Sequence, residues 1–297
     1  MKEERKVVVN RQYKSSVFTM LFKEKKELLS LYNALNNSDY TKEEELEVVT
    51  LENAIYMSMK NDLAFVLDNR LILYEHQSTP NPNLPLRDLF YVSKEYEKMV
   101  VLKNLYSTRK ISIPSPHFVV FYNGKIRQPE KKILKLSDLY QVPEESPMLE
   151  LQVQMLNINE GNNEELKEKC QTLKGYMQYV NKVRNYIEKK NMTLQEAVEL
   201  SVEECIKEGI LKEFLMNNRA EVVSMSILEF DEEREWKKIR ETEYQYGMED
   251  GLRQGLEVLI TLLKEVYKDA DTIYNLVKEN EIYKNISKEE FMEYYKK

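Results

Sequence analysis

The stretch Asn61-Asp62-Leu63-Ala64-Phe65-Val66-Leu67-Asp68-Asn69-Arg70-Leu71-Ile72-Leu73-Tyr74-Glu75-His76-Gln77 reads as two short strands joined by a tight turn. Asp68-Asn69 supplies residues that tolerate the backbone of a two-residue hairpin loop. In that case Leu67 faces Arg70, and Asp62 stands opposite Glu75. Directly opposed residues share one face of a sheet, with Cβ atoms roughly 4.5–5.5 Å apart. Two carboxylates that close repel each other unless a cation lies between them. Oxygen ligands on a rigid hairpin suit a hard divalent ion such as Mg²⁺. Gln77 lies two residues past Glu75 and projects from the same face, whereas His76 points to the other and packs beneath the sheet. The same register sets Lys60 opposite Gln77. A three-residue loop would instead place Asp62 against His76. An ordinary hairpin with a solvated acidic edge is the alternative reading of this spacing.

The 297 residues are enough for one large or two modest domains. Hydrophobic residues make up 42% and charged residues 32%, which predicts a globular protein with a very polar surface. No window approaches 18 uninterrupted apolar residues, so no membrane span is expected. The opening Met1-Lys2-Glu3-Glu4-Arg5-Lys6 lacks the apolar core of a signal peptide. Cys170 and Cys205 show no metal-ligand spacing, and reduced thiols in a cytoplasm are the expectation. The net charge is −7, but it is unevenly spread. Residues 81–140 hold 11 Lys and Arg against 5 Asp and Glu, whereas residues 199–250 hold 7 against 15. Basic charge therefore follows the hairpin, and acid collects in the tail. Arg87, Lys94, Lys98, Lys103, Arg109 and Lys110 are candidate phosphate contacts. The alternation Lys94-Glu95 and Glu97-Lys98 reads also as a solvated helix face.

Along the chain, Val17, Leu21, Leu28, Leu31 and Leu35 repeat at helical spacing and predict a first helix over 15–36. Residues 47–56 read as a strand preceding the hairpin. Asn81-Pro82-Asn83-Leu84-Pro85 is a rigid turn, because its prolines remove ladder donors, and it launches a helix near 86–104. His117–Tyr122 and Leu149–Ile158 read as strands, with residues 129–147 as a polar connection. From Asn162 onward nothing reads as strand. Thr193-Leu194-Gln195-Glu196 and Ser287-Lys288-Glu289-Glu290 are capping boxes that open helices. Trp236, among acidic neighbours, reads as a packing anchor. Gly247, Gly251 and Gly255 recur on one helix face. The chain has no Gly-rich phosphate loop and no Gly-x-Ser-x-Gly elbow, which argues against ATP-driven chemistry and serine hydrolysis.

The run Asn61-Asp62, Tyr74-Glu75-His76-Gln77-Ser78-Thr79 and Asn81 to Arg87 is similar to a bacterial family. That family is the Rpn-type recombination-promoting nucleases, also described as transposases, of the PD-(D/E)xK superfamily. The resemblance continues through Phe118–Gly124, Ala220–Met225 and the glycines near Gly251, covering most of residues 10–256. It implies an α/β restriction-endonuclease-like core over 10–160, with a mixed central sheet flanked by helices, and an α-helical region over 161–297. It also implies a metal-dependent endodeoxyribonuclease using Mg²⁺, with Mn²⁺ able to substitute. Asp62 and Glu75 match the metal-binding acids. Gln77 stands where the superfamily usually carries Lys; Lys60 reads as a solvated strand-end lysine, with replacement of the missing amine as the alternative. Family members often carry an acid where Ser15 stands, and that acid is missing here; Glu24 and Glu27 read as a solvated helix face, with service in its place as the alternative. Duplex DNA is the implied partner. A homodimer through the C-terminal helices is expected from the glycine stripe, since cutting two strands is simplest with two copies. The rival reading is a degenerate nuclease fold that binds DNA or protein without cutting.

Overall fold

The computed structural model describes residues 17–49 and 62–296. Two helices, α1 (Val17–Phe22) and α2 (Lys25–Asn36), precede the strands. The apolar repeat predicts a single helix, but the chain breaks at Glu24, whose backbone is extended (φ −70°, ψ 123°). Leu21 and Leu28 still pack into one core, so the broken helix keeps its buried stripe.

β1 (Glu47–Val48) pairs with β2 (Leu63–Leu67), and β2 pairs antiparallel with β3 (Arg70–Gln77). The β2–β3 register runs from Leu63↔Tyr74 to Leu67↔Arg70, as a two-residue loop requires. Asp68 and Asn69 take φ values of 49° and 57°, the left-handed pair that defines a type I′ turn. Tyr40 Oη and Arg70 Nη1 donate to the Asp68 carboxylate at 3.1 and 3.2 Å and hold the turn from outside. Of the strand expected over 47–56, only Glu47–Val48 is seen. Residues 50–61 lie outside the described ones, and Lys60 with them.

α3 (Leu84–Met99) follows the proline turn, with Pro85 in its first turn, where a missing N–H costs nothing. It starts two residues before the expected position and ends at Met99, short of 104. A 3-10 turn at Leu102–Tyr106 follows. α3 is the crossover that lets β4 (Ser115–Tyr122) lie parallel to β3. β5 (Lys131–Lys135) falls inside the stretch expected to be an irregular connection, and β6 (Gln152–Asn157) pairs with both β4 and β5. The six strands form one mixed sheet in the order β1-β2-β3-β4-β6-β5.

Leu71, Leu73, Val120, Tyr122 and Val153 pack on one face of this sheet, with Tyr91 and Val92 of α3. The other face buries Phe65, Ile72, Tyr74, Phe121 and Leu156 in a core shared with α1 and α2. That core also takes in the helices α4 (Glu164–Lys169), α5 (Gln171–Lys190), α6 (Leu194–Glu208) and α7 (Lys212–Asn217). It extends to Val222 in α8 (Arg219–Val266). Helices α4 to α7 and the start of α8 therefore share a core with the sheet. The chain divides into two compact units at Asp231–Glu232. Both halves of the capping box at Thr193 form, and Cys170 and Cys205 are buried and free.

In the second unit Leu256 and Ile260 of α8 pack with α9 (Ala270–Glu279) and α10 (Lys288–Tyr295). Ser287 caps α10 by accepting from the Glu290 amide. A Cβ on Gly255 would lie 2.6 Å from the Tyr283 hydroxyl, so that glycine serves packing within the unit. Among the described residues nothing comes within 4 Å of a Cβ on Gly247 or Gly251. The Trp236 side chain lies outside the described ones. No described helix is long and apolar enough to cross a membrane.

Candidate functional site

The last residues of the hairpin decide the site. Continuing the β2–β3 register by one pair brings Asp62 opposite Glu75. Asp62 Oδ2 accepts a hydrogen bond from the His76 amide at 2.8 Å, which fixes its carboxylate at the end of the ladder. Even-numbered residues of β2 and odd-numbered residues of β3 share the face that α3 covers, as Ala64, Leu71 and Leu73 show. Glu75 and Gln77 therefore look toward α3, and Gln77 Nε2 donates to Glu75 Oε2 at 3.3 Å.

α3 brings three further groups. Arg87 Nη2 lies 3.4 Å from Glu75 Oε1 and donates to the Tyr91 hydroxyl at 3.0 Å, one helical turn on. Asp88 is only 1% exposed, and its Oδ1 has no hydrogen-bond partner among the described residues. Sequence reasoning missed Asp88 and Tyr91. The available signal was an acid at helical spacing within the apolar stripe Leu84, Asp88, Tyr91, Val92 and Glu95, all of which are buried.

Burial dominates the electrostatics. Glu75 is 4% exposed, and desolvation pushes its carboxyl well above the usual range, against the pull of Arg87 and with a further push from Asp88 and Asp62. Desolvation likewise raises Asp88, again opposed by Arg87. Asp62 is pushed up to about 6, chiefly by burial, with the His76 amide and Arg87 pulling the other way. Three carboxylates thus share one arginine. Fully ionised, the group is left with two uncompensated negative charges, which a single divalent cation would balance. Among the described residues no cluster of three or more His, Cys, Asp or Glu has metal-holding geometry. Two carboxylates and an amide oxygen nevertheless fit Mg²⁺, which keeps several waters and takes one or two protein carboxylates.

His76 points to the opposite face, as alternation predicts. Its ring stacks on Phe18 with centroids 5.0 Å apart, and Nε2 lies 3.0 Å from the Tyr176 hydroxyl. Burial, helped by Arg184, lowers its pKa to about 3, so it is a neutral packing residue. Beyond Gln77 the chain is clamped by the Asn123 amide, which donates to the Gln77 carbonyl at 3.0 Å. A Cβ on Gly124 would fall 1.9 Å from the Ser78 carbonyl oxygen, so only glycine allows this approach beside the site.

The candidate basic residues differ in exposure and partners. Arg87 is committed to Glu75 and Tyr91. Lys94 is half-buried, and Lys98 bonds the buried Glu95 at 2.8 Å. Arg109 and Lys110 are exposed on the segment beyond α3. The Lys103 side chain and Ser15 lie outside the described residues. Glu27 hydrogen-bonds the Thr172 hydroxyl and so ties α2 to α5 rather than joining the acids. Comparison with known protein families, with curated proteins and with solved structures gives no match.

Proposed function

We propose that the chain is a divalent-metal-dependent endonuclease acting on DNA phosphodiester bonds, built on a restriction-endonuclease-like core. One observation carries this reading: Asp62, Glu75 and Asp88 are gathered around a single arginine, at the end of a hairpin, with an orphaned carboxylate oxygen. An apolar cluster of equal volume would be more stable, so the acids make sense as holders of a cation. Asp62 and Glu75 are the ligands, with the Gln77 side chain beside them. When bound, Mg²⁺ supplies charge neutralisation at the phosphate and lowers the pKa of a coordinated water. Arg87 orients Glu75 and screens it from Asp88. Tyr91 in turn holds Arg87. The family resemblance of residues 61–87 supports the same reading.

Plasmid nicking tests it. Supercoiled DNA should be relaxed in Mg²⁺ or Mn²⁺ and left intact in EDTA. DNA left intact with either ion over a wide protein range would reject the nuclease and favour the non-cutting rival.

Gln77 lies within reach of Glu75 but brings no charge. Gln77→Lys should hold or raise the nicking rate, by adding a cation where charge develops on the phosphate. A loss of tenfold or more would show that the amide itself is needed.

A homodimer remains part of this reading, because Gly247 and Gly251 leave an open stripe on α8. Sedimentation at micromolar concentration should give twice the mass of one chain. A monomer, with and without DNA, would remove the dimer.

A further inference from the structure

Between Glu97 and Glu130 the chain carries no acid, while Lys98, Lys103, Arg109, Lys110, Lys125 and Arg127 fall within that span. In a protein of net charge −7 this is the longest reversal of sign along the sequence. The segment after α3 also exposes large apolar side chains. Tyr106 is 93% exposed, Leu105 59% and Val101 55%. Such surface is unfavourable in water unless something covers it.

The segment is held firmly at its base. Tyr96 on α3 donates to the Pro114 carbonyl at 2.7 Å, and the Ser115 amide donates to the Asn69 carbonyl at 3.0 Å. At its far side the Arg109 amide donates to the Ser107 hydroxyl at 3.3 Å and turns the chain. Leu105 and Tyr106 thus project from an anchored support, with two exposed cations next to them. Mixed cations and apolar side chains, free of acid, match a polyanion that also offers apolar faces. Duplex DNA does both, through its phosphates and its base steps.

Resting on the nuclease reading, we infer that residues 101–110 form a second duplex contact, in which Arg109 and Lys110 bind phosphates and Leu105 with Tyr106 wedges against a base step. Arg87 on α3 contacts Glu75, and the helix runs on from there to Met99 before this contact, a span of about 18 Å. That is about five base pairs of duplex. The wedge would hold the helix at a fixed distance from the acids and bend it over α3.

Binding in EDTA tests this without any cleavage. A fluorescent duplex of about 30 base pairs is titrated with the full chain, by anisotropy at several salt concentrations. Tyr106→Ala should weaken binding about tenfold, and Tyr106→Trp should keep it, since a flat ring is what the step accepts. Arg109→Ala with Lys110→Ala should lower the salt slope by about two. Unchanged melting temperatures establish that the variants fold. Wild-type affinity and salt slope in all of these variants would overturn the second contact, even if nicking depends on Glu75. Nicking that fails while these variants still lose DNA binding would overturn the nuclease reading and keep the contact. Loss of flotation with phosphatidylserine vesicles, with DNA binding intact, would reassign the segment to a membrane surface and also overturn the proposal. A wild-type chain that binds no duplex would overturn both readings.

Discussion

Glu75→Gln should lower metal-dependent nicking by about 100-fold or more while leaving the fold intact. The substitution preserves shape: the new amide oxygen can still accept from Arg87, and Gln77, which now donates to the carboxylate, can turn its own amide oxygen to accept from the new N–H. Only the negative charge that would bind the cation is lost. The same change should raise the stability of the metal-free protein at weakly alkaline pH, by about 1–3 kcal/mol. There the wild type must ionise a carboxylate that is 4% exposed. Activity and stability therefore move in opposite directions, which a purely structural glutamate would not produce. Asp62→Asn should lose activity in the same way and keep the bond from the His76 amide. A nicking rate within threefold of wild type in both variants would remove Asp62 and Glu75 from the site.

Without metal, the melting temperature should fall as pH rises from about 5 to about 8.5, and millimolar Mn²⁺ should reverse most of that fall. The sign follows from linkage. An acid whose folded pKa is raised holds its proton in the native state after the unfolded chain has released it. Its stabilising effect is complete below the unfolded value, about 4. It is lost as pH rises through the folded value, about 6 for Asp62 and higher for Glu75 and Asp88. Each raised unit corresponds to about 1.4 kcal/mol. A cation that binds only the ionised acids removes the penalty, so its affinity should increase over the same range. Calorimetry with Mn²⁺ at both ends of the range reads that increase directly. A melting temperature flat with pH, or unmoved by Mn²⁺, would mean that the three acids are neither buried together nor filled by metal.

The two strands of the hairpin and its two-residue loop were among the readings the sequence offered, with a three-residue loop as the alternative. Its period of two, its two-residue loop and its alternation fix a register by arithmetic. The observed pairs Leu63↔Tyr74 to Leu67↔Arg70 follow it. Local chemistry also fixed the capping box at Thr193 and the inward turn of His76. These features depend on neighbours in the chain or across one tight turn, where geometry leaves few choices.

Other features were settled only by tertiary packing. β5 is an edge strand written Lys-Lys-Ile-Leu-Lys, and an edge protected by lysines has no apolar alternation to read. The helices after residue 160 carry ordinary amphipathic stripes. Nothing in those stripes says that α4 to α7 bury them with α1, α2 and the sheet rather than with each other. Asp88 is the sharpest case. Its spacing sets it on the apolar stripe of an amphipathic helix, and only the docking of α3 over β3 makes it a buried acid beside Glu75 and Arg87. The sequence by itself limited the hairpin to two registers, because strand pairing is a local count, and the observed two-residue loop is the one whose continuation sets Asp62 against Glu75. How deeply they are buried, and that a third acid and one arginine join them, was decided by the packing of a helix on a sheet, since burial depends on every element that excludes water from the group.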